Sequence, residues 1–106
     1  MPTRSLRVQE WPVCERPREK LLEHGASALT DAELIALLFG TGIRGANALE
    51  LARTLLKEHG SLRNLLSVST DKALSSRGLG PARVASLRAA LELARRHYLS
   101  ALRAGV

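Results

Sequence analysis

An all-α fold is the first expectation, and composition, punctuation and periodicity all predict it. The 106 residues include 21 Leu and 15 Ala, against 5 Val, 2 Ile, 5 Thr and three aromatic side chains. Straight-chain residues and Ala favour helix, whereas strands draw on the β-branched and aromatic residues that are scarce here. Cap residues and glycines divide the chain at helix-length intervals, and apolar residues between them recur at spacings of three and four. The length is one domain's worth, with a modest core.

Residues 1–15 read as an irregular arm anchored by Trp11 and Pro12. Arg16–Gly25 reads as a short helix, because Pro17 suits a first helical position and Gly25 a C-terminal stop. Thr30 with Glu33 three residues on forms a capping box for a helix from about Asp31 to Phe39, with Leu34, Leu37 and Leu38 as its apolar stripe. Gly40-Thr41-Gly42-Ile43-Arg44-Gly45 breaks that helix. A longer one follows from about Ala46 to Glu58, burying Leu49, Leu51, Ala52, Leu55 and Leu56, and Gly60 ends it. Ser61 caps a short helix over Leu62–Leu66, and Thr70 or Asp71 opens another reaching Ser76. The last helix starts near Pro81 and can reach Leu99 or beyond, with a tail expected to fray after Ser100. Val84, Leu87, Leu91, Ala94 and Tyr98 form a single stripe along it, expected to be buried. That makes six helices in residues 16–106.

There is a faint internal repeat. Asp31, Gly40-Thr41-Gly42 and Leu49-Glu50-Leu51-Ala52-Arg53 echo Asp71, Gly78-Leu79-Gly80 and Leu91-Glu92-Leu93-Ala94-Arg95. Each half reads as short helix, glycine hairpin, longer helix.

The single cysteine, Cys14, cannot form an intramolecular disulfide or build a zinc site by itself, which fits a reducing compartment. The start lacks the apolar region of a signal peptide, and no apolar run approaches the roughly 20 residues of a membrane helix. A soluble cytoplasmic protein with no membrane partner is expected. The formal net charge is +6, and its placement is uneven. Residues 1–62 hold eight basic and eight acidic side chains, whereas residues 63–106 hold eight basic side chains against Asp71 and Glu92. A one-sided basic excess marks a polyanion partner when a phosphate-binding geometry lies beside it.

Such a geometry is legible near residues 71–99. A short helix ends, and the chain turns through Arg77-Gly78-Leu79-Gly80 into a second helix opened by Pro81-Ala82-Arg83. Gly78 and Gly80 are expected to adopt angles that a side chain would forbid, and to leave backbone amides uncovered. Leu79 between them should point inward and pin the hairpin. Amides at a helix start, with the helix dipole behind them, attract anions. Arg77 and Arg83 flank them and add charge-assisted bonds. The pattern is a helix-hairpin-helix motif, hydrophobic-Gly-hydrophobic-Gly, with Arg77 where the ideal has an apolar residue. Its contacts go to DNA phosphates, which carry no sequence information. Trp11, Phe39 and Tyr98 are too scattered to stack single-stranded bases.

Gly40–Gly45 also matches G-x-G-x-x-G, but a dinucleotide site needs a preceding strand and a βαβ unit. A degenerate second hairpin is the better account, with Gly42 and Arg44 as secondary phosphate contacts. His24, His59 and His97 are far apart, each near a helix end, and no nucleophile, paired-carboxylate or H-E-x-x-H pattern appears. No catalytic residue, metal or cofactor is expected.

Glu15-Arg16-Pro17-Arg18-Glu19-Lys20-Leu21-Leu22, then Gly25, Ala28-Leu29 and Asp31-Ala32-Glu33-Leu34, resemble the opening of RadC-family proteins, which carry a DNA-repair label. Gly40-Thr41-Gly42, Gly60-Ser61-Leu62 and Gly78-Leu79-Gly80-Pro81-Ala82 continue the likeness in order, over about residues 8–99. The resemblance implies a helical N-terminal module related to tandem helix-hairpin-helix domains. Family members usually continue into a metalloprotease-like domain of the JAB type, whose His-x-His and Asp metal motif has no counterpart here. The chain is therefore expected to be an isolated module or a short member. Two functions follow: a DNA-backbone binding module, or a module that docks a protein partner or the family's own enzymatic domain.

Overall fold

The computed structural model describes residues 16–105, and the expected arm over residues 1–15, with Trp11, Pro12 and Cys14, lies outside them. The fold is all-α. The described residues form α1 (Pro17–His24), α2 (Asp31–Phe39), α3 (Ala48–His59), α4 (Leu62–Ser67), α5 (Thr70–Leu74) and α6 (Pro81–Arg103), with a 3-10 turn at Ala26–Ala28. The one β feature among them is an isolated antiparallel bridge between Ile43 and Ala46. The chain divides into two compact units, with the boundary between Val68 and Ser69.

In the first unit, local chemistry sets the helix starts. Pro17 opens α1, and Thr30 caps α2 through the expected box: its hydroxyl accepts from the Glu33 amide, and a Glu33 carboxylate oxygen accepts from the Thr30 amide at 2.9 Å. Asn47 and Glu50 form a second box on α3, and Ser61 caps α4. The α3 start therefore falls two residues later than expected, because Ala46 is held in the bridge to Ile43.

α2 and α3 pack on each other more extensively than any other pair of helices. Ala32, Ile35 and Ala36 are buried on α2, and Ala48, Leu49, Leu51, Ala52 and Leu55 on α3. The stripe expected on α2 is thus corrected: Leu34 and Leu37 are half-buried, and Leu38 is 45% exposed. Alanines at the contact let two helices approach closely, so the small face turns inward and the leucine face is displaced. Glu33 is also buried, and it accepts hydrogen bonds from the Lys20 ammonium at 3.1 and 3.2 Å. That ion pair ties α1 to α2. Burial alone would raise the Glu33 carboxyl pKa, but hydrogen bonds from Thr30 and Lys20 outweigh it and hold it below the usual range.

The second unit is α5 and α6. Ser69 caps α5 by accepting from the Lys72 amide. Ala73, Ser76, Leu79, Val84 and Leu87 are buried. Two expectations about α6 are overturned. The helix continues without a break through Ser100 to Arg103, 23 residues in all. Its apolar stripe is buried only at Val84 and Leu87; Leu91 is 38% and Tyr98 68% exposed, and Ala94 is exposed too. The reason is length: at about 1.5 Å per residue, the five residues of α5 span about 8 Å and those of α6 about 34 Å.

Candidate nucleic-acid interface

Local backbone hydrogen bonds lead the chain out of α5 and into the hairpin. The Ser75 amide donates to Lys72 O, that of Ser76 to Ala73 O and that of Leu79 to Ser76 O, each at 3.1–3.2 Å. Gly78 reverses the chain with φ +88°, a conformation that favours glycine. Leu79 then turns inward as expected and is 1% exposed.

Gly80 differs from expectation in an informative way. It is the N-cap of α6 with φ −76° and ψ 177°, angles open to any residue. A Cβ placed on it would meet nothing within 4 Å. Neither backbone geometry nor internal packing therefore requires glycine here. What the absent side chain does is leave the first turn of α6 without a side-chain cap, and that turn holds no acidic residue.

Of the flanking arginines, Arg77 is exposed. Arg83 is half-buried, and its guanidinium donates back to Gly78 O at 3.4 Å, bracing the hairpin. Ala82 is exposed at the second position of α6. The segment 77–83 thus brings six expected site residues together on one turn. From Ser69 onward the sequence holds seven basic side chains against two acidic ones. One of those acids is occupied: Glu92 accepts from Arg96 at 2.9 Å and Arg95 at 3.0 Å. The Arg96 hydrogen bond above all holds its carboxyl pKa down.

Gly42 and Arg44 lie in the first unit. Ile43 and Ala46 exchange hydrogen bonds at 3.0 and 3.1 Å around a two-residue turn, Arg44-Gly45, with Gly45 at φ +90°. Arg44 is exposed on that turn. Gly42 is held by packing: a Cβ there would collide with Ala46 O and come within 2.6–2.7 Å of the Asn47 backbone. The helix that follows is closed, since Asn47 Oδ1 accepts from the Glu50 amide at 2.8 Å and Glu50 Oε1 from the Asn47 amide at 3.0 Å. The dinucleotide reading of Gly40–Gly45 fails on structure, because the helix α2 precedes it.

Sequence reasoning missed the Asn47 cap, although Asn47-x-x-Glu50 carries the capping-box spacing. It missed the Lys20–Glu33 pair, which no local spacing announces. His24 and His59 sit in last helical turns as expected. His97 lies inside α6 with its ring 5.4 Å from that of Tyr98. Among the described residues, no group of three or more His, Cys, Asp or Glu side chains could hold a metal ion, and no helix is long and apolar enough to cross a membrane.

No solved structure matches the chain. Curated relatives do. It is 53% identical over 96 residues to a UPF0758 protein of Stutzerimonas stutzeri, covering 91% of this chain and 43% of the relative. It is 55% identical over 98 residues to one of Azotobacter vinelandii, with the same coverages. A UPF0758 protein of Xanthomonas oryzae pv. oryzae is 52% identical over 100 residues, 94% of this chain and 44% of the relative. The chain thus spans less than half the length of these relatives. The family described as UPF0758 N-terminal matches residues 8–85, and with these relatives it places the chain in the UPF0758 family, the RadC-like one.

Proposed function

We propose that this chain grips the phosphate backbone of DNA, without reading base sequence, through a helix-hairpin-helix formed by α5 and α6. The observation that carries this reading is the open start of α6. Glycine at position 80 serves neither its own backbone angles nor its neighbours, yet its bare Cα leaves the helix N-terminus uncapped and approachable. Helix N-termini of this kind hold phosphate through backbone amides and the dipole. The exposed Arg77 and the basic excess of the second unit supply the long-range attraction. Arg44, exposed on its turn, is a secondary contact in this reading, whereas Gly42 is packed against Ala46 and Asn47 and takes no part in it. The chain acts by binding rather than by chemistry, in the cytoplasm, and a DNA-repair role belongs to the same proposal.

The test is a salt titration with labelled duplexes of unrelated sequence. The logarithm of affinity should fall linearly with that of salt concentration, alike for each sequence. Arg77→Ala should lower the slope by about 0.9 if it removes one phosphate contact. Arg83→Ala should be read only with the fold checked, because Arg83 also donates to Gly78 O. An affinity that ignores salt, or a folded Arg77→Ala variant with the wild-type slope, would overturn the proposal and favour a protein-docking module.

A further inference from the structure

Val84, Leu87, Leu91, Tyr98 and Leu102 follow one another along α6 at spacings of three, four, seven and four, so they share one side of the helix. The first two belong to the core, at 6% and 5% exposure. Leu91, Tyr98 and Leu102 continue the same stripe at 38, 68 and 70% exposure. The buried stripe thus runs on into open surface along the same side of α6. The match to the N-terminal family domain ends at residue 85, so nearly all of the exposed stretch lies beyond it.

We infer that this stripe is the seat of the further portion of chain that the longer UPF0758 relatives carry beyond the segment matched here. Three observations favour that occupant. The matched relatives are more than twice as long as the segment aligned here, so a further portion of chain exists to cover the face. The stripe is one helix wide and, from Leu91 to Leu102, about 17 Å long. At about 10 Å wide it covers on the order of 170 Å², far short of the roughly 800 Å² per partner of a stable free complex, but enough for a tethered partner, for which linkage supplies the effective concentration. A second copy is disfavoured by charge: α6 carries five arginines and one carboxylate, so pairing it with itself would set like charges side by side. The docked portion should present an apolar patch toward the stripe and a net negative charge toward the basic helix.

Hydrogen exchange tests this directly. In the full-length Stutzerimonas stutzeri relative, the segment aligned with residues 91–102 should exchange at least tenfold more slowly than the same helix in the present chain. A chimera joining this chain to the remainder of that relative should show the same protection. Tyr98→Ala with Leu102→Ala, which keeps helix propensity, should abolish it while leaving the circular dichroism of the free chain unchanged. Equal exchange rates in the relative and in the present chain would overturn the inference. Protection already present in the free chain, and lost on dilution, would overturn it in favour of self-association.

Discussion

The two glycine hairpins of this chain look alike in sequence and differ in what secures the residue between the glycines and in how the next helix starts. In the first, Gly40-Thr41-Gly42 leaves its central residue exposed, and the turn is secured by backbone: the Ile43–Ala46 bridge and the close approach of Gly42 to Ala46 and Asn47. In the second, Gly78-Leu79-Gly80 secures itself with a fully buried side chain, Leu79. The first then closes its following helix with the Asn47–Glu50 box, placing a carboxylate where an anion would otherwise sit. The second leaves α6 open behind Gly80. Gly-x-Gly by itself therefore does not specify an open helix start. What distinguishes the two is whether the helix start is satisfied from within.

The largest effects should come from exchanging these means. Leu79→Ala should destabilise the protein by about 2–5 kcal/mol, the cost of emptying a buried leucine site. Thr41→Ala, at the corresponding exposed position, should cost clearly less, because no buried side-chain volume is emptied there. Comparable losses in chemical denaturation would break the contrast. Next comes Gly42→Ala. Its methyl group would drive into backbone, so a loss of about 3 kcal/mol is expected.

Much of this contrast was not legible beforehand. The capping residues, the hairpin positions and the inward Leu79 could be read, because each depends on residues within a few positions of one another. The buried face of α2 could not, since the choice between Ala32-Ile35-Ala36 and Leu34-Leu37-Leu38 is made by the partner helix. The pentapeptide Leu-Glu-Leu-Ala-Arg makes the point most plainly. At 49–53 it begins at the second position of α3, and its two leucines and alanine are buried; at 91–95 it lies half-way along α6, and the same residues are exposed. At the candidate site the glycines were legible, but not their differing reasons: Gly78 needs its positive φ, and Gly80 does not.

A smaller effect concerns acid stability. The Glu33 carboxyl titrates below its ordinary value near 4.5 in the folded chain. A depressed carboxyl pKa contributes stability that is fully present above the unfolded value and lost as pH falls through the folded one. Glu33→Gln should therefore cost about 1 kcal/mol at neutral pH, through the lost Lys20 pair. The gap to the wild type should close as pH drops below about 4.5. A gap of constant size across that range would show that the charge on Glu33 contributes nothing.

The most direct test transplants the cap of the first hairpin into the second. The angles at Gly80 suit any residue and its surroundings are open, so Gly80→Asn and Gly80→Asp should both fold. Each installs the missing N-cap, and a small rise in stability of a few tenths of a kcal/mol is expected, slightly more for Asp at the positive helix end. Duplex affinity should move the other way: severalfold weaker for Asn, which covers the amides, and at least tenfold weaker for Asp, which also repels phosphate. A more stable protein that has lost its grip on DNA is the predicted result, and variants binding duplex as tightly as the parent, with the same salt dependence, would contradict the account.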